Sequence, residues 1–530
     1  MTVHDLSEPE RARVAHYVTD PIGPVFALTG LPEVVKGALF ARYSRSPKSL
    51  RRLLLDEFLP NSPVVQEAVP RVGVARAEAL YDRVLAEYGD DSVAQLGGAH
   101  IAVEGASNLL TKVLQWGRLA SYLEQSTRYI AFTDRPGGDY RYHRPATVMA
   151  LPELGRSYTR TLDGAFDAYS ALLPLMVEHV AREVPELPGA APAARERAVR
   201  ARALDLLRGL LPAATTANVG IFASGQAYEA MLVRMGAHPL PEARECAARM
   251  LTELRKVIPA FLTRVDREDR GGAHGRYLRG SELAAAEIAG RVLPAPAEVP
   301  AGPRVRLVDF DPDGEARVLA HALWPAGGGG LAEARSRAAE LDPGERARAL
   351  AAWAGDRSDR RQRPGRALEA TTYAFEIVCD YGAYRDLQRH RMLTLQAQPL
   401  TPRLGYDLPA EVAEAGGGDA YAAVQAASAR LHDDLAEVVP DEAAYAVTLA
   451  HRIRFTMLLN AREAMHLIEL RSQPQGHESY RRVVREMHRQ IAEVAGHTAI
   501  AAMMTFVDHS DPAAGRLAAE SRSEARRARG

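Results

Sequence analysis

Apolar residues recur at helical spacing along most of this chain. In the stretches 76–89, 422–439 and 480–504 an apolar side chain returns every three or four positions, which predicts amphipathic helices. Strand patterns are few, and the best of them alternates over 303–311 before the turn sequence Asp-Pro-Asp-Gly. The pattern therefore predicts an α+β fold that is rich in helix.

The 530 residues exceed what one ordinary hydrophobic core holds, so two or more domains are expected. Residues 267–302 are rich in Gly, Ala, Pro and charge and show little apolar periodicity, which is typical of an interdomain linker. We predict a first domain over 1–266, a second over 303–510, and a charged tail over 511–530.

Two short matches indicate an internal repeat. LQWGRLAS at 114–121 corresponds to LQRHRMLT at 387–394, at an offset of 273 residues, and QAYEAML at 226–232 corresponds to NAREAMH at 460–466, at an offset of 234. Because both matches occur in the same order, the chain is predicted to hold two divergent copies of one domain. This alignment places Gln226, Tyr228 and Ala237 opposite Asn460, Arg462 and Arg471.

Charge and hydropathy exclude several classes of protein. The net charge is −1 and the pI is about 7.0, so nothing global attracts nucleic acid or an anionic membrane, and an anionic ligand must be held by local arginines. The N-terminus has no apolar signal region, and no apolar run is long enough to span a bilayer. We expect a cytoplasmic protein whose partners include neither nucleic acid nor membrane.

Cysteine and histidine are too sparse for a metal or disulfide framework. The two cysteines, Cys246 and Cys379, are each expected to be small buried apolar residues. His100, His238, His477 and His497 lack a ligand spacing such as H-E-x-x-H, so no metal site is predicted. No dinucleotide-binding glycine motif and no Walker A sequence occurs, which argues against a Rossmann or P-loop site.

A polar loop in the first copy is the first candidate binding site. In the sequence YLEQSTRY, Ser126 and Thr127 offer hydroxyls, Arg128 offers a planar fork of donors, and Glu124 can accept from an N–H group. This combination suits a nucleotide. A structural alternative is that Ser126 caps a helix and that Glu124 pairs locally with Arg128.

The second copy has Arg389, His390 and Arg391 after an apolar approach, 373–388, that is predicted to be helical. Two guanidinium groups with a possible donor between them suit a phosphate or an electron-rich ring. The structural alternative is a solvated basic helix end, which the helix dipole favours.

Residues 458–480 are predicted to form one helix, in which Asn460 and Arg471 lie about 20° apart around the axis and about 16 Å along it. Arg462 points nearly opposite. Such a helix can line an elongated ligand and offer Arg462 to a neighbouring subunit. The alternative is a packed amphipathic helix with arginines at its wet edges.

Together these motifs resemble the flavin-dependent thymidylate synthase family, whose signature reads R-H-R-x-A-S-Y-N-E-Q-S-x-R-Y. WGRLASYLEQSTRY matches it from Arg118 onward and departs at Trp116, Gly117 and Leu123. The second copy keeps the Arg-His-Arg tripeptide but has Pro399 where the serine belongs. NAREAMHLIELR looks like the N-A-R…L-R helix of the family.

The resemblance implies a domain with a short antiparallel sheet and long helices. It also implies conversion of dUMP to dTMP with FAD, and with NADPH and methylenetetrahydrofolate as cosubstrates, by a route that needs no cysteine nucleophile. The matching positions imply FAD contacts from Glu369, Arg389, His390, Arg391, Asn460 and Arg462. They imply nucleotide contacts from Glu124, Ser126, Thr127, Arg128 and Arg471, with Arg471 and Ser126 at the catalytic centre.

Family members assemble as tetramers, so a chain with two copies is expected to form a homodimer that mimics the tetramer. We interpret the complementary losses as specialisation, in which the first copy keeps the nucleotide loop and the second keeps the flavin arginines. Two alternatives stay open. One is C5-modification of another pyrimidine nucleotide, such as hydroxymethylation or UMP methylation. The other is a catalytically silent flavin- or nucleotide-binding protein.

Overall fold

The computed structural model describes residues 6–23, 26–43, 48–59, 95–128, 130–183, 192–293 and 304–510. The predicted helix at 76–89 and the predicted tail at 511–530 lie outside these ranges. Packing divides the chain into two compact units. The first comprises residues 1–106, 113–125 and 217–295, and the second comprises 107–112, 126–216 and 296–530. Each unit thus contains residues from both sides of position 125, whereas the predicted linear boundaries at 266 and 303 stay predictions.

The first unit combines a three-stranded sheet with helices. The strands are β1 (Gly98–Ser107), β2 (Ala120–Glu124) and β3 (Thr216–Ser224), in the spatial order β1-β3-β2. Its helices are α1 (Glu8–Val14), α2 (Glu33–Tyr43), α3 (Leu50–Leu53), α8 (Gly225–Ala237), α9 (Pro241–Leu254) and α10 (Ala273–Val292). The short helix α4 (Asn108–Leu114) crosses the division between the units.

The second unit is built on a four-stranded antiparallel sheet. The strands are β4 (Val305–Phe310), β5 (Thr372–Asp380), β6 (Leu393–Ala397) and β7 (Arg452–Asn460), in the order β4-β5-β7-β6. Its helices are α5 (Ala146–Met149), α6 (Pro152–Glu183), α7 (Pro192–Leu207), α11 (Gly314–Leu323), α12 (Leu331–Glu340), α13 (Pro343–Ala354), α14 (Tyr381–Leu387), α15 (Ala410–Glu414), α16 (Gly418–Val438), α17 (Ala461–Arg471), α18 (Glu478–Glu493) and α19 (Thr498–Ala502).

Helix α18 covers the second sheet. Val484, Met487 and Ile491 on this helix are fully buried, and the helix packs on β4 and β5. Gln490 of the same helix bonds the edge strand directly, because its Nε2 donates to the carbonyl of Val305 at 2.7 Å and its Oε1 accepts from the N–H of Leu307 at 2.6 Å. Burial of the apolar stripe and these two bonds fix the helix against the sheet.

The two sheets repeat one topology, since β1-β3-β2 in the first copy corresponds to β5-β7-β6 in the second. Strand β2 pairs with β3 as Ala120↔Ala223, and β6 pairs with β7 as Leu393↔Leu459. This register makes Ser224 the equivalent of Asn460, at an offset of 236 rather than 234. The alignment from sequence was therefore wrong by two residues, and the structural equivalents of Arg462 and Arg471 are Gln226 and Met235.

Four strands of the repeat end on a residue that caps the next helix. Ser107 ends β1, Ser224 ends β3, Asp380 ends β5 and Asn460 ends β7, and each side chain accepts a hydrogen bond from a backbone N–H three residues on. Such caps satisfy one of the orphan donors at a helix start. The strand-to-helix junction is thus part of the repeated unit.

These junctions correct two predictions. Residues 373–388 are not one helix but the strand β5 followed by α14, and 458–480 comprises the end of β7, helix α17, a loop and the first residues of α18. Asn460 is consequently a cap before the helix rather than a residue on its face. Pairing with β5 explains the difference, since Thr372↔Asn460 is the end of a ladder that continues to Asp380↔Arg452.

Three further predictions, of two helices and one strand, meet different outcomes. The helix predicted at 422–439 is confirmed as α16, and the strand predicted at 303–311 is confirmed as β4. The helix predicted at 480–504 is wrong in its continuity, because α18 ends at Glu493 and Gly496 adopts a positive φ of 73° before α19 begins. A left-handed residue of this kind ends a helix.

The predicted linker contains regular structure. Helix α10 occupies residues 273–292 and packs on α8, although none of its residues is buried. Among the described residues, no helix combines the length and the apolar character that crossing a bilayer requires.

Candidate functional site

The second unit brings a first-copy motif together with second-copy motifs. Arg128 donates from Nε and Nη2 to the two carboxylate oxygens of Asp205, at 2.7 and 2.9 Å. Its Nη1 donates to the hydroxyl of Tyr480 at 2.9 Å, and its Nη2 to the carbonyl of Gln475 at 2.8 Å. Tyr480 lies on α18, directly after the family-like helix α17. Residues of both copies therefore build one cluster.

Arg128 is an anchor in this cluster. Its side chain is 11% exposed and that of Asp205 only 1%. Burial lowers the pKa of Arg128, but Asp205 outweighs this effect and holds that pKa well above its usual value. Because Nε, Nη1 and Nη2 all donate to protein groups, the guanidinium is committed to holding the fold.

The other residues of the first-copy loop are divided between the units. Ser126 accepts from the N–H of Arg128 at 3.2 Å, and Thr127 is buried, both in the second unit. Glu124 ends β2 in the first unit, where it accepts from Gln115 Nε2 at 2.8 Å. The carboxylate that pairs with Arg128 is that of Asp205 rather than that of Glu124, the local partner considered from the sequence. A joint role of these residues in nucleotide binding stays a prediction.

The Arg-His-Arg tripeptide follows α14, and its central residue points inward. Arg389 is exposed and Arg391 half-buried, whereas His390 is only 6% exposed. The Nδ1 atom of His390 lies 3.0 Å from Glu463 Oε1, and its Nε2 accepts from Arg471 Nε at 3.0 Å. Glu463 and Arg471 both lie on α17, so this helix holds His390 at two points.

Burial sets the charge of this trio. It lowers the pKa of His390, and the neighbouring Arg471 lowers it further, so the imidazole is neutral at pH 7. Burial also raises the pKa of Glu463. Arg471 is the side chain of this trio whose charge does not change near pH 7, because a guanidinium stays protonated.

Arg471 differs from Arg128 in what its guanidinium contacts. Its Nε bonds His390 and its guanidinium carbon lies 5.6 Å from the Tyr480 ring centre. Within the described part of the chain, its two terminal nitrogens make no hydrogen bond. Those nitrogens are therefore available to an anionic or carbonyl-bearing ligand.

Asp386 on α14 is the counter-charge of the cluster. Burial raises the pKa of its carboxyl, but Arg208, Arg389, Arg471 and Arg128 together outweigh burial and hold that pKa below its usual value. Arg208 Nη1 donates to Asp386 at 3.2 Å. Arg208 also lies 3.8 Å from Asp380, so with Asp205 paired to Arg128 the four arginines face three carboxylates, and this excess of positive charge favours an anionic ligand.

A cavity of about 290 Å³ lies beside this cluster in the second unit. Asp205 and Arg208 line it, together with Asp380, His477 and Ser479. Its volume is at the lower end of the range for small-molecule sites, about 300–1,000 Å³.

Three residues predicted to contact FAD are engaged within the chain. Asn460 accepts from the N–H of Glu463 at 2.9 Å as a helix cap. Arg462 donates to the carbonyl of Pro364 at 3.3 Å and lies 3.8 Å from Glu369. Glu369 forms a two-point pair with Arg366, at 3.1 and 3.0 Å. Their FAD role stays a prediction.

Several residues of the cluster were not found by sequence reasoning. Asp205, Asp386, Glu463 and Tyr480 are partners of the predicted arginines and histidine. Only Asp386 had a local signal, since it lies three residues before Arg389 on the same helix approach. Each of the others lies at least 73 residues from the predicted residue with which it forms a hydrogen bond, and a single sequence does not record such distant pairs.

The structure also groups His390, Glu463 and His466, whose donor atoms lie within 4.8 Å of one another. Sequence reasoning missed this group because His390 lies 73 residues before Glu463 in the chain. That the protein binds no metal stays a prediction.

The cysteines differ in burial. Cys379 is buried as predicted, but Cys246 is only partly buried, and neither forms a disulfide. Burial raises the pKa of the Cys379 thiol, and it raises the pKa of the Cys246 thiol to about 12. Both therefore stay protonated at pH 7 and are poor nucleophiles.

Comparison with known families identifies the fold. The family model described as "Thymidylate synthase complementing protein" matches residues 41–260 and 306–496, more than half of the chain and once in each predicted copy. The chain belongs to this family. The two matched ranges bear out the tandem arrangement of two thymidylate synthase-like domains, with helices around small antiparallel sheets.

Proteins of similar length match this chain over nearly all of both sequences. A UPF0159 protein of Chlamydia muridarum is 38% identical over 529 residues, which cover 98% of this chain and 99% of that protein. Among solved structures, the UMP/dUMP methylase PolB of Streptomyces cacaoi is 15% identical, with a TM-score of 0.31, and covers 40% of this chain and 100% of its own. ThyX of Helicobacter pylori, solved with FAD and dUMP, is 16% identical, with a TM-score of 0.28, over 38% and 98%. TM-scores of this size do not bear on the function of this chain.

Proposed function

We propose that this protein is a flavin-dependent enzyme that methylates dUMP to dTMP, with methylenetetrahydrofolate as the carbon donor and NADPH as the reductant. Membership of the thymidylate synthase complementing family supports the class of reaction. The observation that carries the proposal is the composite cluster, in which Arg128 of the first copy and Arg471 of the second share Tyr480.

In this proposal Arg471 binds the nucleotide. Its two terminal nitrogens make no hydrogen bond to a described protein group, whereas those of Arg128 are committed to Asp205, Tyr480 and Gln475. Arg128 then supports the site indirectly, because its hydrogen bond to Tyr480 holds α18 in place. Ser126 accepts from the Arg128 backbone and so helps to keep this loop in place, and we assign it to the same nucleotide site on the family resemblance.

The chain offers a partial fit to FAD. Arg389 and Arg391 are exposed or half-exposed after α14 and are suited to the diphosphate, because guanidinium binds phosphate oxygens in pairs. His390 does not offer a ring nitrogen to FAD, since Glu463 and Arg471 take both. We therefore assign flavin binding to the two arginines and a supporting role to His390. Bound flavin supplies the hydride that reduces the transferred carbon.

Purified protein tests the proposal directly. We expect flavin absorbance in the visible spectrum, dUMP binding by calorimetry, and oxidation of reduced flavin that depends on both dUMP and methylenetetrahydrofolate. Arg471→Gln should lower dUMP affinity by about tenfold or more, because a charge-assisted bond is lost, while flavin is retained. The control Arg337→Gln changes an arginine on α12 that is 74% exposed, and it should leave both ligands unaffected.

The same titrations separate the alternatives. A protein that binds UMP in preference to dUMP is an enzyme acting on another pyrimidine nucleotide. One that binds flavin or nucleotide without turnover is a silent paralogue. Absence of both flavin and nucleotide binding contradicts the proposal as a whole.

A further inference from the structure

A chain of two hydrogen bonds links a buried carboxylate to the arginine of the site. Glu463 Oε1 and His390 Nδ1 are 3.0 Å apart, and His390 Nε2 and Arg471 Nε are also 3.0 Å apart. Glu463 and His390 are each only 6% exposed. Water therefore has little access to either bond, and loss of one of them is not readily compensated by solvent.

Hydrogen-bond chemistry fixes the direction of both bonds. The Nε of arginine only donates, so His390 Nε2 must be the acceptor and carries no hydrogen. A neutral imidazole then carries its hydrogen on Nδ1, which donates to the Glu463 carboxylate. A carboxylate at position 463 thus selects the one tautomer of His390 whose Nε2 can accept a hydrogen bond from Arg471 Nε.

We propose that Glu463 and His390 are positioning residues that fix the plane of the Arg471 guanidinium and turn its terminal nitrogens toward the ligand. With Nε held by His390, the edge formed by Nη1 and Nη2 stays available as a paired donor. That edge matches two acceptor oxygens or an adjacent oxygen and nitrogen, as on a phosphate or a pyrimidine ring. We call the hydrogen-bonded chain from Glu463 through His390 to Arg471 the relay. The identity of the ligand rests on the proposed function, whereas the relay itself does not.

The neighbouring His466 raises a competing arrangement in which His390, Glu463 and His466 bind a divalent cation. A cation on His390 Nδ1 requires that atom to lose its hydrogen, which leaves the hydrogen on Nε2. Nε2–H would then face the Arg471 Nε–H, and two donors repel. The observed bond to Arg471 therefore favours the relay. Within the described chain His466 makes no hydrogen bond, so the relay does not need it.

A carboxylate that serves only the fold would be hard to explain at position 463. Burial raises the pKa of Glu463, which means that keeping its charge there opposes folding. A buried group that costs stability and orients a ligand-facing arginine is expected of a functional site rather than of a packed core.

Three variants of the full-length protein test the relay. Glu463→Met fills the same space without an acceptor for the His390 Nδ1–H and should lower dUMP affinity by about tenfold. Glu463→Gln keeps a carbonyl acceptor for Nδ1–H and should stay within about twofold of the wild type. His466→Asn, which removes a cation ligand but no relay bond, should bind dUMP like the wild type.

A second measurement is independent of dUMP. With ¹⁵N-labelled histidine, the His390 signals, assigned by their loss in His390→Asn, should show a protonated Nδ1 and an unprotonated Nε2. Glu463→Met should shift this tautomer balance, and Glu463→Gln should preserve it. Failure of the wild type to bind dUMP contradicts the proposed function, while these signals still decide the relay.

Two results overturn the relay. One is a Glu463→Met variant with unchanged dUMP affinity and unchanged His390 signals. The other is a cation site, shown by stoichiometric Zn²⁺ binding in calorimetry that both Glu463→Met and His466→Asn abolish.

Discussion

Arg128 and Arg471 show how one residue type acquires two roles. Both guanidinium groups lie near Tyr480, but Arg128 meets a carboxylate, a hydroxyl and a carbonyl, whereas Arg471 meets one imidazole nitrogen. The sequence flagged both arginines as ligand contacts, since each lies in a family-like motif. It did not separate them because Asp205 and Tyr480, which decide the matter, lie 77 and 352 positions from Arg128.

At this scale we predict that Asp205→Asn destabilises the protein. The change leaves the buried Arg128 without its carboxylate, and breaking such a pair costs about 3–5 kcal/mol in unfolding free energy. The control Glu178→Gln breaks an exposed pair with Arg182 and should cost about 0–1 kcal/mol. Chemical denaturation measures both. Equal small effects would mean that Arg128 does not anchor the fold.

At the scale of elements, the repeated unit is a strand that ends on a capping residue and continues as a helix. Ser224 and Asn460 occupy equivalent ends of β3 and β7, and both cap the helix that follows. The sequence identified the helices but extended one of them backward into β7. Apolar residues such as Leu458 and Leu459 suit either structure, and only the partner strand β5 selects the extended one.

The cap gives an element-scale prediction. Asn460→Ala removes the acceptor for the Glu463 N–H and should lower the unfolding free energy by about 1 kcal/mol. Asn460→Asp retains a cap and should be nearly neutral in the same denaturation experiment. If Asn460 also contacts FAD, as the family resemblance implies, Asn460→Asp should lose flavin without losing stability, and retention of flavin would contradict that role.

The strand registers of the two sheets show which residues of the two copies are equivalent. They place Met235 at the position of Arg471, so the arginine that we propose to bind the nucleotide has no arginine counterpart in the first copy. Sequence similarity had aligned Ala237 there, because four matching residues in seven outweighed a two-residue shift. Strand pairing resolves the shift, because Ala120↔Ala223 and Leu393↔Leu459 fix the register directly, whereas a two-residue shift leaves every side chain of β3 on the same face and is invisible in the alternation pattern.

For the whole molecule, buried histidines make stability depend on pH. Burial lowers the pKa of His451 to about 4, and it also lowers the pKa of His390, His477 and His497. Unfolded histidine binds its proton near pH 6.5, so between pH 6.5 and 4 the unfolded chain holds more protons than the folded one. The stability from neutral His451 is complete above pH 6.5 and is lost as the pH falls through 4.

We therefore expect the unfolding free energy to fall over this window, by about 3 kcal/mol from His451 alone. The variant His451→Asn should show a shallower slope in denaturation curves measured at several pH values. His274→Asn, on the exposed helix α10, is the control and should keep the wild-type slope. Identical slopes for the wild type and His451→Asn would contradict the effect of burial.

The sequence by itself determined the repeat, the helix-rich class, the strand β4 and the motif residues, because each of these depends on local spacing or on identity within a short segment. Only the tertiary structure decided that the guanidinium of Arg128 is bonded by protein groups at all three nitrogens, whereas that of Arg471 is bonded at Nε alone within the described residues. It also decided that His390 is turned inward and that residues 126–216 pack with the second copy. Those outcomes depend on partners brought together by strand pairing and burial, and one sequence does not record which distant residues meet.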